Sequence, residues 1–362
     1  MPNAILTRAI DALASGRDLS EDQSAEVLAE IMHGEVSETQ IAGFLIALRT
    51  KGETVDELAG LARTMRSLAA HVPSERKDLL DTAGTGGGRS SFNVSTTAAL
   101  IAAGAGCAVA KHGNRSATSR SGSADLLEAL GARIDLGPEA VGACIDEAGF
   151  GFMFAPAHHQ ATRFVVPVRR DLAVRTIFNL LGPLTNPAGA PRQLIGVSDA
   201  SFQATMAGAL ARLGVDRALV VAGEDGLDEV SASAATKVFE VNGEEITQYV
   251  LTPHQAGLRP ASDAESARAP DGGTPVENAQ VTRAILEGEA RAGERPAGEA
   301  LALINAGAAI YAGGRADSIA EGVDAARAAL AEGRAASALE AYVQASRAHA
   351  PAHPDGHSQA AR

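Results

Sequence analysis

Apolar residues recur at helical spacing through the first seventy positions, as in Val27, Leu28 and Ile31, then Ile41, Phe44, Leu45 and Leu48. Three of these stretches start on a hydroxyl residue with Gln or Glu three positions later: Ser20 with Gln23, Ser37 with Gln40, Thr54 with Glu57. A hydroxyl in that place takes a first-turn amide, and the Gln or Glu reaches back to the cap. The pattern predicts short helices and a small helical domain over residues 1–72, with a later helical contribution near 162–190.

From Asp78 the period changes. Short apolar runs end on Gly or His and lead into helical patterns: Leu79 to Thr82 before Gly84, Ala108 to Ala110 before His112, Leu219 to Ala222 before Gly223. Strands alternating with helices predict an α/β domain over 73–346, with a mainly parallel sheet flanked by helices. Ligands gather at the carboxyl ends of strands in such sheets, where these turns lie. Gln255 to Pro275 reads as a surface loop, and Val281 to Leu286, Glu299 to Tyr311 and Ser318 to Leu330 read as closing helices. The tail, 347–362, reads as disordered. Its His349, His353 and His357 would hold a metal only on a helix, which Pro351 and Pro354 oppose.

Composition narrows the function. Apolar residues make up 46% and charged residues 21%, with mean hydropathy near zero, as in a soluble globular protein. The net charge of −13 argues against nucleic acid, which needs a basic face. The apolar stretch Thr97 to Ala110 is too short to span a membrane, and nothing at the N-terminus reads as a signal peptide. Cys107 and Cys144 lie among Ala, Gly and Val and are expected as buried free thiols in a reducing cytoplasm.

The chemistry concentrates in two segments. In Asp81-Thr-Ala-Gly-Thr-Gly-Gly-Gly-Arg-Ser-Ser-Phe-Asn-Val-Ser-Thr96, four glycines follow a strand and precede a helix. Amides bared by glycine, together with a helix N-terminus, make an anion cradle. No Gly-Lys-Ser/Thr follows, so it is no Walker loop, and the acidic residue of a dinucleotide site is missing. The second segment, Lys111-His-Gly-Asn-Arg-Ser-Ala-Thr-Ser119 and then Ser121 to Asp125, adds the cations Lys111 and Arg115 and hydroxyls suited to phosphate oxygens.

In this order and spacing Gly-Thr-Gly-Gly, Phe-Asn-Val-Ser-Thr, Lys-His-Gly-Asn-Arg and Ser-Gly-Ser-Ala-Asp closely resemble the anthranilate phosphoribosyltransferase family. The resemblance continues through Phe154 to His159, Pro167-Val-Arg169, Arg175 to Pro187 and Gly226-Leu-Asp-Glu-Val230, ending near Val343. It implies the helical-plus-α/β plan shared with nucleoside phosphorylases. It also implies transfer of phosphoribose from 5-phospho-α-D-ribose 1-diphosphate to the amine of anthranilate, in tryptophan biosynthesis, by a cytoplasmic, magnesium-dependent homodimer.

Carried over by position, the donor-binding residues are Gly84, Gly87, Ser91, Asn93, Val94, Ser95 and Thr96, then Lys111, His112, Gly113, Asn114, Arg115, Ser116, Ala117, Thr118, Ser119 and Ser123. Gly84, Asn114, His159 and Arg169 fall where the family contacts anthranilate, and Ser95, Asp228 and Glu229 where it holds magnesium. Two carboxylates after Gly226 suit a hard cation bound to a diphosphate, and a guanidinium can grip a carboxylate through two parallel bonds. In this reading magnesium and the Lys111/Arg115 loop stabilise the departing diphosphate while Arg169 and Asn114 position the acceptor. The amine is already a neutral nucleophile, so no general base is nominated. Ile41, Phe44 and Leu45 are candidates for the dimer surface.

One departure stands out. The family usually reads Gly-Thr-Gly-Gly-Asp-Gly, whereas Gly88-Arg89 follows Gly87 here and the loop is one residue shorter. Among rival readings, a pyrimidine nucleoside phosphorylase normally carries Ser-Thr-Gly-Gly where this chain has Ala83-Gly84-Thr85. A non-catalytic relative that binds nucleic acid would need a basic surface. A dinucleotide-binding oxidoreductase would need the missing ribose-binding acid.

Overall fold

The computed structural model describes residues 2–89, 91–116, 119–258, 271–288 and 298–351. Four helices come first: α1 (Ala4–Ala14), α2 (Glu21–His33), α3 (Glu38–Lys51) and α4 (Val55–Ser67). Ser20 and Thr54 form complete capping boxes. Ser37 caps α3, but its Gln40 turns away: the amide accepts from Asn3 N at 2.9 Å and donates to Asn3 O at 3.0 Å, stitching α1 to α3. Ile41, Phe44 and Leu45 are at most 1% exposed. They fill the interior of this unit, which corrects their assignment to a dimer surface.

Seven strands follow: β1 (Leu79–Gly84), β2 (Ala108–Gly113), β3 (Phe150–Phe154), β4 (Arg192–Gly196), β5 (Arg217–Gly223), β6 (Thr236–Asn242) and β7 (Glu245–Leu251). They lie in the order β3-β2-β1-β4-β5-β6-β7. The first five are parallel, and β6 and β7 complete the sheet as an antiparallel hairpin. That hairpin is absent from the reading of the sequence, although Asn242-Gly243 is the turn signal for it, and Gly243 sits at φ +60°.

Alternation along the strands divides the apolar residues between two cores. Leu194, Leu219 and Val221 face a core shared with the closing helices, and Ile195, Val197, Ala218 and Val220 face a core shared with α1–α4. Val165 and Val168, followed by Ile177 and Leu181, belong to the second core. The segment near 162–190 therefore packs with the N-terminal helices, as a doubly covered sheet requires. Cys107 and Cys144 are free and buried, and burial pushes each thiol up to about 12.

The closing helices span Pro275–Glu287, Glu299–Ala312 and Ile319–Ala331, and a fourth, Arg334–Ala348, runs past the expected start of the tail. Arg347 lies within that helix and donates to Gly131 O, and His349 contacts Glu147. His353 and His357 lie outside the described residues. Among the described residues no helix is long and apolar enough to cross a membrane.

Candidate active site

The order of the strands determines where a ligand can sit. The chain runs outward from β1 to β3, then returns to the other side of β1 as β4, so the connections diverge between β1 and β4. A crevice opens at such a reversal, beyond the carboxyl ends of the strands. The two strands end in register on Gly84 and Gly196, and Thr85 N donates to Gly196 O at 2.9 Å.

Past Gly84 the loop turns through Gly86 and Gly87, at φ +64° and +82°, left-handed values that favour glycine. The Gly86 amide lies near the Asp228 carboxylate and favours its charged form. Gly196 must lack a side chain for a different reason: a Cβ there would lie 1.7 Å from Asp228 O. Close approach of three backbone segments thus brings the 226–230 turn against the glycine loop.

Asp228 and Glu229 are half-buried. Burial raises the pKa of both; Asp228 raises that of Glu229 further, while Lys111 and the Ser95 amide oppose the shift. Asn305, fully buried in an otherwise apolar helix, clamps the next residue from both sides: it accepts from Val230 N and donates to Val230 O, each at 2.9 Å. Its role was missed in the sequence, although an Asn within Leu301–Ile310 is a visible irregularity.

Helix α5 (Val94–Gly104) begins beside the loop. Asn93 does not cap it. Its Oδ1 accepts from Ser121 Oγ at 3.1 Å and Asn278 Nδ2 at 2.8 Å, and its Nδ2 donates to Ser121 O. The first-turn amides of α5 therefore have no side-chain cap, which leaves them suited to an anion. Val94 and Thr96 are buried below, whereas Ser91 and Ser95 are half-buried.

The second segment divides in two. Lys111 is buried under the site; its Nζ donates to Thr82 O, to Thr82 Oγ1 at 3.1 Å and to Ser95 Oγ at 3.4 Å. Burial lowers its pKa to about 8, against the attraction of Asp81 and Glu229. Arg115 points elsewhere, paired with Asp125 at 2.7 Å and Glu128 at 2.6 Å. Asn114 is exposed and its carbonyl accepts from Ser123 Oγ; Ser116 and Ser119 bond each other; Gly113 packs so closely that a Cβ would meet Ser123 Oγ at 2.2 Å. Ala117 and Thr118 lie outside the described residues.

Across the crevice, α10 (Phe178–Leu184) gathers three further residues. His112 Nδ1 is 3.2 Å from Gly182 O, and His159 Nε2 is 3.0 Å from Thr185 O. A carbonyl accepts only from N–H, which fixes both tautomers. The rings lie 5.0 Å apart. Burial lowers their pKa values to about 3 and about 4, so both are neutral at pH 7. Arg169, on α9 (Val166–Leu172), lies 5.4 Å above the Phe178 ring. It is half-buried, and among the described residues no carboxylate pairs with it.

Asp81 ties the two sides together, accepting from His112 N at 3.0 Å and Asn186 Nδ2 at 2.8 Å. Burial raises it to about 6, against the attraction of Lys111. Arg89 keeps the shortened loop in place through its amide, which donates to Gly226 O, while its side chain is exposed.

The chain is similar to known proteins over most of its length. Residues 76–336 match the family model described as glycosyl transferase family, a/b domain, and residues 7–69 match that of its helical bundle domain. The chain is 50% identical over 347 residues to a curated protein of Rubrobacter xylanophilus named anthranilate phosphoribosyltransferase, covering 95% of this chain and 98% of that one. The anthranilate phosphoribosyltransferase structure from Thermus thermophilus superposes with a TM-score of 0.86 at 48% identity, covering 94% and 99% of the two chains. The Saccharomyces cerevisiae enzyme in complex with PRPP and Mg gives a TM-score of 0.85 at 27% identity, covering 96% and 99%.

Proposed function

The chain belongs to the anthranilate phosphoribosyltransferase family, and from that premise we propose how its own residues carry the transfer of phosphoribose from 5-phospho-α-D-ribose 1-diphosphate to the amine of anthranilate. The observation that carries the reading is the crevice at the reversal of strand order, with a glycine loop and two half-buried carboxylates on one side and, on the other, Arg169 lying on Phe178 with no carboxylate partner among the described residues.

The glycine loop and the open N-terminus of α5 bind the diphosphate through amides, with Ser91, Ser95, Asn93 and Asn114 at its edge. Lys111 acts from below. It holds Thr82 and Ser95 in place and supplies a positive field under the anion. The same residues fit magnesium. Asp228 beside Glu229 raises the need of that carboxylate for a cation, and Ser95, whose amide favours the charged form of Glu229, would add its hydroxyl oxygen. Magnesium bound to substrate phosphates needs only one or two carboxylates from the protein. Bound there, magnesium would neutralise charge on the departing diphosphate.

Arg169 grips the anthranilate carboxylate, with Phe178 beneath its guanidinium. The neutral imidazoles of His112 and His159 wall the acceptor site without adding charge. The sugar carbon gains positive charge as the bond to diphosphate breaks, and the chain's part is to hold amine and carbon in line. Arg115, bound by two carboxylates, would join the donor loop only by releasing them. As the resemblance implies, the working form is a cytoplasmic homodimer.

The test is direct: anthranilate fluorescence is followed after adding phosphoribosyl diphosphate with and without magnesium. Loss of fluorescence only when both are present is expected. No loss under any condition would overturn the reading.

A further inference from the structure

One guanidinium that the reading above leaves without a task sits against the glycine loop. Arg175 Nη2 donates to Gly86 O at 3.0 Å, and Nη1 donates to Ser198 Oγ at 3.1 Å. Ser198 Oγ in turn donates to the same Gly86 carbonyl at 2.9 Å. The carbonyl of Gly86 is thus held by two donors, while its amide lies near the Asp228 carboxylate and favours its charged form. Packing is tight enough that a Cβ on Gly87 would fall 1.6 Å from Arg175 Nη2.

The backbone of the same arginine faces the helical unit. Arg49, in the last turn of α3, donates from Nη1 to Arg175 O at 2.8 Å. A cavity of ≈170 Å³ lies between these two arginines, bordered by Thr85 and Ser198. Arg175 therefore joins three things: α3, the glycine loop and, through Gly86, the carboxylate expected to bind magnesium.

A loop of glycines needs such a strut. With four glycines in the five positions from Gly84 to Gly88, the backbone has many conformations of similar energy, and ordering it at the moment of binding costs affinity. A peptide carbonyl turned toward a diphosphate would also repel it. We propose that Arg175 is a positioning residue: by holding the Gly86 carbonyl away from the crevice, it presents the loop amides to the diphosphate and links the loop to the helical unit. This rests on the reading of the crevice as the diphosphate site. Arg175 need not touch substrate; it acts through Gly86.

The test compares Arg175→Ala with Arg175→Lys. The Ala variant is expected to raise the KM for phosphoribosyl diphosphate about tenfold, the loss expected for one charge-assisted hydrogen bond, with the KM for anthranilate changed less than about twofold. Added guanidinium ion, which can enter the enlarged cavity and bond Gly86 O, should restore part of the donor affinity. Lysine keeps the charge but cannot reach both acceptors in the planar fork of arginine, so it should give an intermediate KM. A donor KM unchanged in both variants would overturn the proposal, as would equal rises for both substrates with no guanidinium rescue. If the Ala variant does not fold, the Lys variant alone decides: wild-type donor KM refutes, raised donor KM supports. Wild-type protein that fails to bind phosphoribosyl diphosphate would count against the diphosphate site itself, which keeps the two failures apart.

Discussion

On the side of the crevice proposed for the diphosphate the available groups are backbone amides, hydroxyls and two half-buried carboxylates; on the α10 side they are two buried imidazoles and a guanidinium lying on Phe178. The first side is built by removing side chains, so that backbone segments approach closely and leave polar groups open to a highly charged ligand. The second is built by burying side chains, so that two histidines stay neutral and one arginine, stacked on Phe178, has no carboxylate partner among the described residues. An anion carrying several charges needs many weak donors and a metal. A planar acid with one carboxylate needs one strong donor and a dry wall.

The largest effect should come from the carboxylates. Asp228→Asn with Glu229→Gln should lower turnover by roughly three or more orders of magnitude, on the several kcal/mol a metal contributes to stabilising developing charge. Because both carboxylates are held above their ordinary pKa by burial, neutralising them should leave the melting temperature unchanged or higher. Near-normal activity at ordinary magnesium concentration would remove the metal from this side of the comparison.

Arg169→Ala probes the other side. Losing a charge-assisted bond to a bound carboxylate costs about 1.5 to 3 kcal/mol, on the order of tenfold to a hundredfold in the KM for anthranilate. The KM for phosphoribosyl diphosphate should barely move. Equal shifts in both constants would mean that Arg169 props up the cleft as a whole and that the two sides are not separable in this way.

The dryness of the α10 side gives a smaller, pH-dependent signal. Below about pH 6.5 the unfolded chain takes up protons on its histidines, while folded His112 and His159 refuse them until about pH 3 and about pH 4. Each therefore contributes stability that is complete above the unfolded pKa and is lost as pH falls through that window. Glutamine at position 159 can still donate to Thr185 O but cannot take up a proton. Between pH 7 and pH 5 the His159→Gln variant should lose less stability to unfolding by urea than the unaltered chain, by roughly 2 kcal/mol. Parallel losses in the two proteins would show that the imidazole is not held neutral by its surroundings.

Much of the diphosphate side was legible along the chain, because its pieces are contiguous: a run of glycines, a helix start and an acidic pair each announce themselves within a few residues. What could not be read there is which piece supports which. Asn305 lies 75 residues from the Val230 backbone it clamps, and Asn186 lies 105 from Asp81. The α10 side was legible only through resemblance. A histidine in the sequence carries no sign of its tautomer or of its partner, and both are fixed by carbonyls on α10 and at its C-terminal cap, which arrive from elsewhere in the chain.

The sequence by itself determined the helical start, the alternation of strands with helices, the glycine loop after β1 and the family. These follow from local periodicity and from the conformations open to glycine and to capping residues. The tertiary structure alone decided that Lys111 lies beneath the site and not in its loop, and that Arg115 is held by Asp125 and Glu128. It alone decided, too, that Ile41, Phe44 and Leu45 fill a core and that Arg175 braces the glycine loop. The reason is that burial and pairing depend on which segments the sheet order and the two cores bring together, and residue type constrains that only weakly.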